Sequence, residues 1–168
     1  MVGRDALAAF VDAVPEDVLE VVDEAYSDYI TDPDYPDAIA EHVGRRPNVA
    51  VLRTFSKIYG LAGLRVGYMV GPAEVVREVM KIRNAFDVSE LAHVAALASL
   101  DDAEELARRR DVNERGRIAL EATFAQLGMQ PFPACANFLC VDVGDGRALA
   151  GSLMREGVIG VIVLTRSE

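Results

Sequence analysis

The feature that most constrains this chain is a lysine set just past a buried-strand signal. Val49-Ala50-Val51-Leu52 is a short, β-branched apolar run of the kind that forms a buried strand. It leads through Arg53-Thr54-Phe55-Ser56 to Lys57. The segment Ile58-Tyr59-Gly60-Leu61-Ala62-Gly63-Leu64-Arg65-Val66-Gly67-Tyr68 follows. A lysine held at the end of a buried strand is a candidate for amine chemistry, because desolvation lowers its pKa and frees a nucleophilic lone pair. Gly60 and Gly63 are expected to let the chain reverse and bring Arg65 back to the same pocket. A guanidinium there suits a phosphate dianion.

A second element lies upstream. Val18-Leu19-Glu20-Val21-Val22-Asp23-Glu24-Ala25-Tyr26 is a β-branched run that ends in an acid, with a tyrosine three residues on. Lysine amine, phosphate clamp and a strand-end carboxylate together suggest pyridoxal 5'-phosphate (PLP). A buried carboxylate keeps the ring nitrogen of that cofactor protonated, and a tyrosine hydroxyl can bond its phenolic oxygen. The plainer reading, that Asp23 only ends a strand, stands beside this one for Asp23 taken alone.

In this order and spacing the segments resemble the fold-type-I PLP aminotransferases of class I/II, and most nearly the histidinol-phosphate aminotransferase branch. The resemblance rests on Val22-Asp23-Glu24-Ala25-Tyr26, on Arg53-Thr54-Phe55-Ser56-Lys57 and on Gly60 through Tyr68. Lys81-Ile82-Arg83 and Ala136-Asn137-Phe138-Leu139 agree with it, so that it covers about Val2 to Gly157. It implies that Lys57 is the Schiff-base lysine and the general base. Asp23 would pair with the pyridinium nitrogen and Tyr26 with the ring oxygen. Ser56 and Arg65, with Thr54 as a weaker member, would hold the phosphate, and Asn137 would lie near substrate as the smaller domain closes. It also implies a homodimer acting on amino acids and 2-oxo acids.

The chain departs from that family pattern. A complete enzyme of the kind is about twice as long, and its glycine-rich phosphate turn, ring-stacking aromatic and Asn-Pro-rich segment have no counterpart in residues 1–20. Leu164 occupies the place where the family has an arginine, and Arg166 is the only cation beyond it. The expectation is a chain truncated at both ends, lacking the carboxylate clamp. The fold expected is α/β. An incomplete three-layer α/β/α large domain with its connecting helix occupies residues 1–113, and a small α/β C-terminal lobe residues 114–168.

Hydrophobic residues make up 51% of the chain, enough for a sizeable core, and the net charge of −10 argues against nucleic acid or an anionic membrane as partner. No apolar run approaches the ~18–20 residues of a membrane span and no signal peptide opens the chain, so the cytoplasm is the expected compartment. Cys135 and Cys140 flank an expected strand and read as reduced, buried thiols. His42 and His93 have no ligand partners at metal spacing, so no metal is expected. Gly60-x-x-Gly63 lacks the pattern of a dinucleotide site.

Periodicity predicts a helix over Arg4 to Ala13 stopped by Pro15, a strand over 18–23, a short helix to His42 and strands at Val49–Arg53 and Val66–Val70. A helix from Pro72 to about Asn84 follows, then helices over 88–100 and 102–127. Arg108-Arg109-Arg110 reads as a solvated face of the last. Strand at Gln130–Val143, helix at 146–156 and strand at 158–164 complete the prediction.

Two functional readings result. One is amino transfer between histidinol phosphate and 2-oxoglutarate in histidine biosynthesis, with aromatic-amino-acid aminotransferases as relatives sharing the same lysine segment. The other is a non-catalytic, truncated remnant of such an enzyme.

Overall fold

The computed structural model describes residues 2–163. They fall into two compact units, one of Met1–Glu114 with Cys135–Asn137, the other of Arg115–Ala134 with Phe138–Glu168.

The first unit is built on a three-stranded sheet in the order β1-β2-β3, with β1 Glu20–Asp23, β2 Val49–Thr54 and β3 Gly67–Val70. β1 and β2 run parallel, with Asp23 opposite Leu52, whereas β3 returns antiparallel, with Thr54 opposite Gly67. Two parallel neighbours need a crossover, and the segment from Glu24 to Asn48 supplies it. That segment holds the 3-10 turn Ser27–Tyr29 and helix α2, Ala38–Glu41. Asp37 starts α2 by accepting the amides of Ile39 at 3.1 Å and Ala40 at 3.2 Å.

Helix α1, Arg4–Ala13, precedes β1 and buries Val11 completely. Val11, Val49 and Val51 are the largest side chains wholly inside. In β2, Val49 and Val51 suit this role because their single preferred rotamer loses little freedom on the pleated surface.

Beyond β3, Pro72 precedes helix α3, Ala73–Ile82, with a φ of −56° that already matches a helix. Helix α4, Glu90–Leu100, is capped by the Ser89 hydroxyl, which accepts the Ala92 amide at 3.2 Å. It turns Ala92 and Ala96, one helical turn apart, into a core cluster with Phe55 and Val66. Tyr59, Leu61, Leu64 and Val88 pack against that cluster. The small alanine face lets α4 come close to the chain that carries Lys57.

Helix α5, Ala103–Gln126, is the longest, and its residues divide between the two units after Glu114. In the second unit, helix α6, Gly146–Arg155, starts where Asp145 accepts the Ala148 amide at 2.9 Å.

The helices and the first three strands therefore form close to where the sequence puts them. The strands expected in the last part do not. In place of a strand over Gln130–Val143 there is one isolated antiparallel bridge, Pro131 to Val141. Cys135 and Cys140 consequently flank no strand, and both are free and half-buried rather than buried. Residues 158–163 are irregular, with Ile159 and Val161 exposed, and the remainder of the strand expected over 158–164 lies outside the described residues. A β-branched run becomes a strand only when a neighbour offers a ladder, and among the described residues none does. Leu164 and Arg166 also lie outside the described residues.

Candidate active site

The carboxyl ends of β1 and β2 lie side by side because the strands are parallel and in register. In open α/β sheets that edge is where loops gather into a ligand site. Asp23 ends β1, and Tyr26 stands three residues beyond it. Thr54 ends β2, with Ser56 and Lys57 in the turn that follows.

Lys57 and Tyr26 meet, and Asp23 lies within charge reach of the lysine. Lys57 Nζ sits 4.9 Å from the centre of the Tyr26 ring. A hydrogen bond with the Tyr26 hydroxyl and the charge interaction with the same group hold the Lys57 amine above its ordinary pKa against burial, with lesser help from Tyr29 and Asp23. The expected downward shift is thus reversed. The side chain leaves the buried strand and reaches a polar, half-open surface, where the partners of its ammonium outweigh desolvation.

Asp23 differs from expectation as well, being exposed rather than buried. Alternate residues of a strand share a face, and Val21 and Asp23 lie on the open face of β1 while Glu20 faces inward. Asp23 Oδ1 accepts the Ala25 amide at 3.0 Å, which fixes the turn leading to Tyr26.

Around the lysine, Thr54 Oγ1 accepts the Ser56 amide at 3.1 Å and so orders the residue before Lys57. Gly60 supplies a left-handed turn with φ +71°. Gly63 does not. It lies in the 3-10 turn Ala62–Leu64, and the second left-handed residue is Arg65 itself, at φ +55° and ψ +48°. A non-glycine residue in that region carries strain on the order of 1–3 kcal/mol. Arg65 is exposed, and its Nη1 donates to the Ala62 carbonyl at 2.8 Å. Asn137 is also exposed and follows the buried Ala136, whose carbonyl accepts from Asn113 Nδ2 at 3.2 Å.

Three features escape the sequence reading. First, Glu24, next to Asp23, is only 3% exposed and pairs with Arg53 of β2 at 2.7 Å. Its other oxygen accepts the Ala38 amide at 3.1 Å. The pair ties the crossover to β2 directly behind the site, and it raises the Arg53 pKa despite burial. Second, burial pushes the Tyr29 hydroxyl above the ordinary tyrosine value, with Lys57 and Arg109 opposing. Third, the arginine run is not a solvated face throughout. Arg108 is exposed and pairs with Glu105, but Arg109 Nη1 donates to the Ile58 carbonyl at 2.8 Å and Arg110 Nε to the Asp28 carbonyl at 2.6 Å. These partners are distant in sequence, so helical charge spacing gives no sign of them.

A lysine beside a tyrosine, with an acid in charge reach, at the carboxyl ends of parallel strands is the candidate site of an α/β protein. Residues 2–167 match the family described as aminotransferase class I and II, and the chain belongs to that family. It is 47% identical over 160 residues to the histidinol-phosphate aminotransferase of Moorella thermoacetica, a match covering 95% of this chain and 42% of that protein. It is 46% identical over 167 residues to an aromatic amino acid aminotransferase of Corynebacterium jeikeium, covering 94% of this chain and 44% of that one. Among solved structures it superposes on the histidinol-phosphate aminotransferase of Sinorhizobium meliloti, determined in complex with pyridoxal-5'-phosphate. The TM-score is 0.85 at 34% identity, with 94% of this chain and 44% of that chain covered. The fold is thus that of the PLP-dependent aminotransferases, and the chain spans less than half the length of these relatives.

Proposed function

We propose that this chain carries the lysine side of a PLP-dependent amino-transfer site, working between histidinol phosphate and 2-oxoglutarate. The observation that supports this most is Lys57 Nζ, 4.9 Å from the Tyr26 ring centre and within charge reach of Asp23. The donor set suits the cofactor. There is an amine for its aldehyde carbon, a carboxylate for its ring nitrogen, a phenol for its ring oxygen, and hydroxyl and guanidinium groups for its phosphate.

PLP, when bound, supplies an electron sink for the pair left behind when a substrate Cα–H bond breaks. The chain's residues do the rest. Lys57 Nζ anchors the cofactor and, once a substrate amine has displaced it, carries the Cα proton. Asp23 holds the proton on the ring nitrogen, and the Tyr26 hydroxyl orients the ring through its phenolic oxygen. Ser56 and Arg65, with Thr54, hold the phosphate, and Asn137 contacts substrate. Because Tyr26 holds Lys57 as an ammonium, the amine must lose a proton before it attacks. Attachment therefore speeds up as pH rises toward the elevated pKa.

We assign the protein to the cytoplasm, working as a homodimer. Leu91, Val94, Leu97 and Leu100 recur every three residues along α4 and are all more than half exposed, which suits a subunit interface. Among the described residues no helix is long and apolar enough to cross a membrane.

The similarity to the Corynebacterium jeikeium enzyme favours a second reading, amino transfer from aromatic amino acids. One assay decides. With PLP and 2-oxoglutarate supplied, the chain should convert histidinol phosphate faster than phenylalanine, and Lys57→Ala should abolish the conversion. Faster use of phenylalanine would favour the second reading. Amino transfer that survives in Lys57→Ala would contradict both.

A further inference from the structure

We propose that Arg109 and Arg110 of α5 form a two-pronged positioning device that sets Lys57 against Tyr26 and Tyr29. The inference deepens the amino-transfer reading and rests on it. Arg109 Nη1 holds the carbonyl of Ile58, the residue directly after Lys57, at 2.8 Å. Arg110 Nε holds the carbonyl of Asp28, between Tyr26 and Tyr29, at 2.6 Å. Adjacent residues on a helix point about 100° apart, so one turn of α5 can reach two separate loops. These are the loops that bear the lysine and its phenolic partners.

Several observations show that the contact is built. Arg109 is itself fixed from below by Glu105, whose Oε1 accepts from Arg109 Nε at 2.7 Å. Ile58 is 3% exposed, so its carbonyl has little access to water. Gly60 leaves the opening through which Arg109 enters, since a Cβ there would lie 2.6 Å from Arg109 Nη1. Arg109 also acts weakly on the Tyr29 hydroxyl through its charge. Arg108, the third of the run, makes only an exposed pair with Glu105 and serves as the internal control.

The chain has only two lysines, Lys57 and Lys81, and this makes a direct test possible without cofactor. Lys81 is exposed and paired with Glu78 on α3, away from the arginine contacts. The charged and titratable groups facing Lys57 are Tyr26, Tyr29 and Asp23. Reductive methylation of the full chain, read by mass spectrometry at several pH values, gives the rate at Lys57 relative to Lys81.

In Arg109→Gln/Arg110→Gln the loops should part and Lys57 should lose its phenolic partners. Its amine then titrates lower, and the Lys57:Lys81 ratio below the pKa should rise about threefold or more. Arg108→Gln should leave the ratio at the parent value. Circular dichroism and a cooperative melt confirm folding. If the double variant does not fold, Glu105→Gln, which frees Arg109 while keeping both guanidiniums, should move the ratio the same way by less. An unchanged ratio in a folded double variant, or in Glu105→Gln where that variant is used, overturns the inference. So does an equal rise in Arg108→Gln. Because no PLP is present, this outcome is separate from the amino-transfer reading, which fails instead if the parent chain does not attach PLP at Lys57.

Discussion

Replacing Arg53 by Met should cost the fold about 3 kcal/mol, because it strands a buried carboxylate. The Glu24 side chain is 2% exposed, and Oε2 receives both Arg53 Nε at 2.8 Å and Arg53 Nη2 at 2.7 Å. Oε1 keeps only the Ala38 amide at 3.1 Å. Hydrogen bonds to charged groups are worth about 1.5–3 kcal/mol each, and breaking a buried pair costs about 3–5 kcal/mol. The Arg53 side chain retains 24% exposure, so water can partly replace it and the lower end of that range applies. Its second contact, with Asp37 at 3.4 Å, adds little because Asp37 is open to solvent. Urea unfolding of the full chain measures the loss as a lower midpoint at unchanged slope. Glu24→Leu/Arg53→Met removes both charges and should recover about 1–2 kcal/mol of that loss, the rest reflecting the Ala38 amide left without its acceptor. A loss below about 1 kcal/mol in Arg53→Met, or a double variant no more stable than Arg53→Met, would refute the reasoning.

Three further outcomes are expected. Gly60→Ala places a side chain at φ +71° and against Arg109 Nη1, and should lower stability by about 1–2 kcal/mol in the same urea assay. Glu105, held by Arg108 and Arg109, has its pKa lowered from 4.5 to about 2, so its contribution is complete above pH 4.5 and is lost as pH falls through about 2. Thermal melts of the parent should decline across that window more steeply than those of Glu105→Gln. In a version extended to the full length of the relatives, Asp23→Asn removes the charge assigned to the ring nitrogen and should slow PLP-dependent turnover by about 4–6 kcal/mol of barrier at ~1.4 per tenfold, with PLP attachment far less affected. Stopped-flow turnover within tenfold of the parent would return Asp23 to the role of a strand end.

The parts of the fold legible in the sequence are those with local causes. The β-branched runs at Val21-Val22 and Val49–Val51, the stop at Pro15 and the helix start after Pro72 each act within a few residues. The nearness of Lys57 to Tyr26 is legible too, because the parallel pairing of two short strands brings their ends together whatever lies between. What was not legible depends on distant partners. The stretch 158–163 has strand composition but, among the described residues, no ladder to join. The direction of the Lys57 pKa shift turns on the Tyr26 hydroxyl bonding the lysine itself, a pairing that the spacing of the two segments does not fix. Arg109 and Arg110 look like surface charge because their acceptors are backbone carbonyls 51 and 82 residues away.

The central claim is that Lys57 is the amine this fold presents to PLP. Borohydride reduction of the PLP-treated full chain, followed by peptide mapping, tests it most directly. Lys57 and Lys81 are the only two lysines. The label should fall on Lys57, faster at higher pH, and should vanish from that peptide in Lys57→Ala. Label on Lys81 with Lys57 untouched would contradict the account.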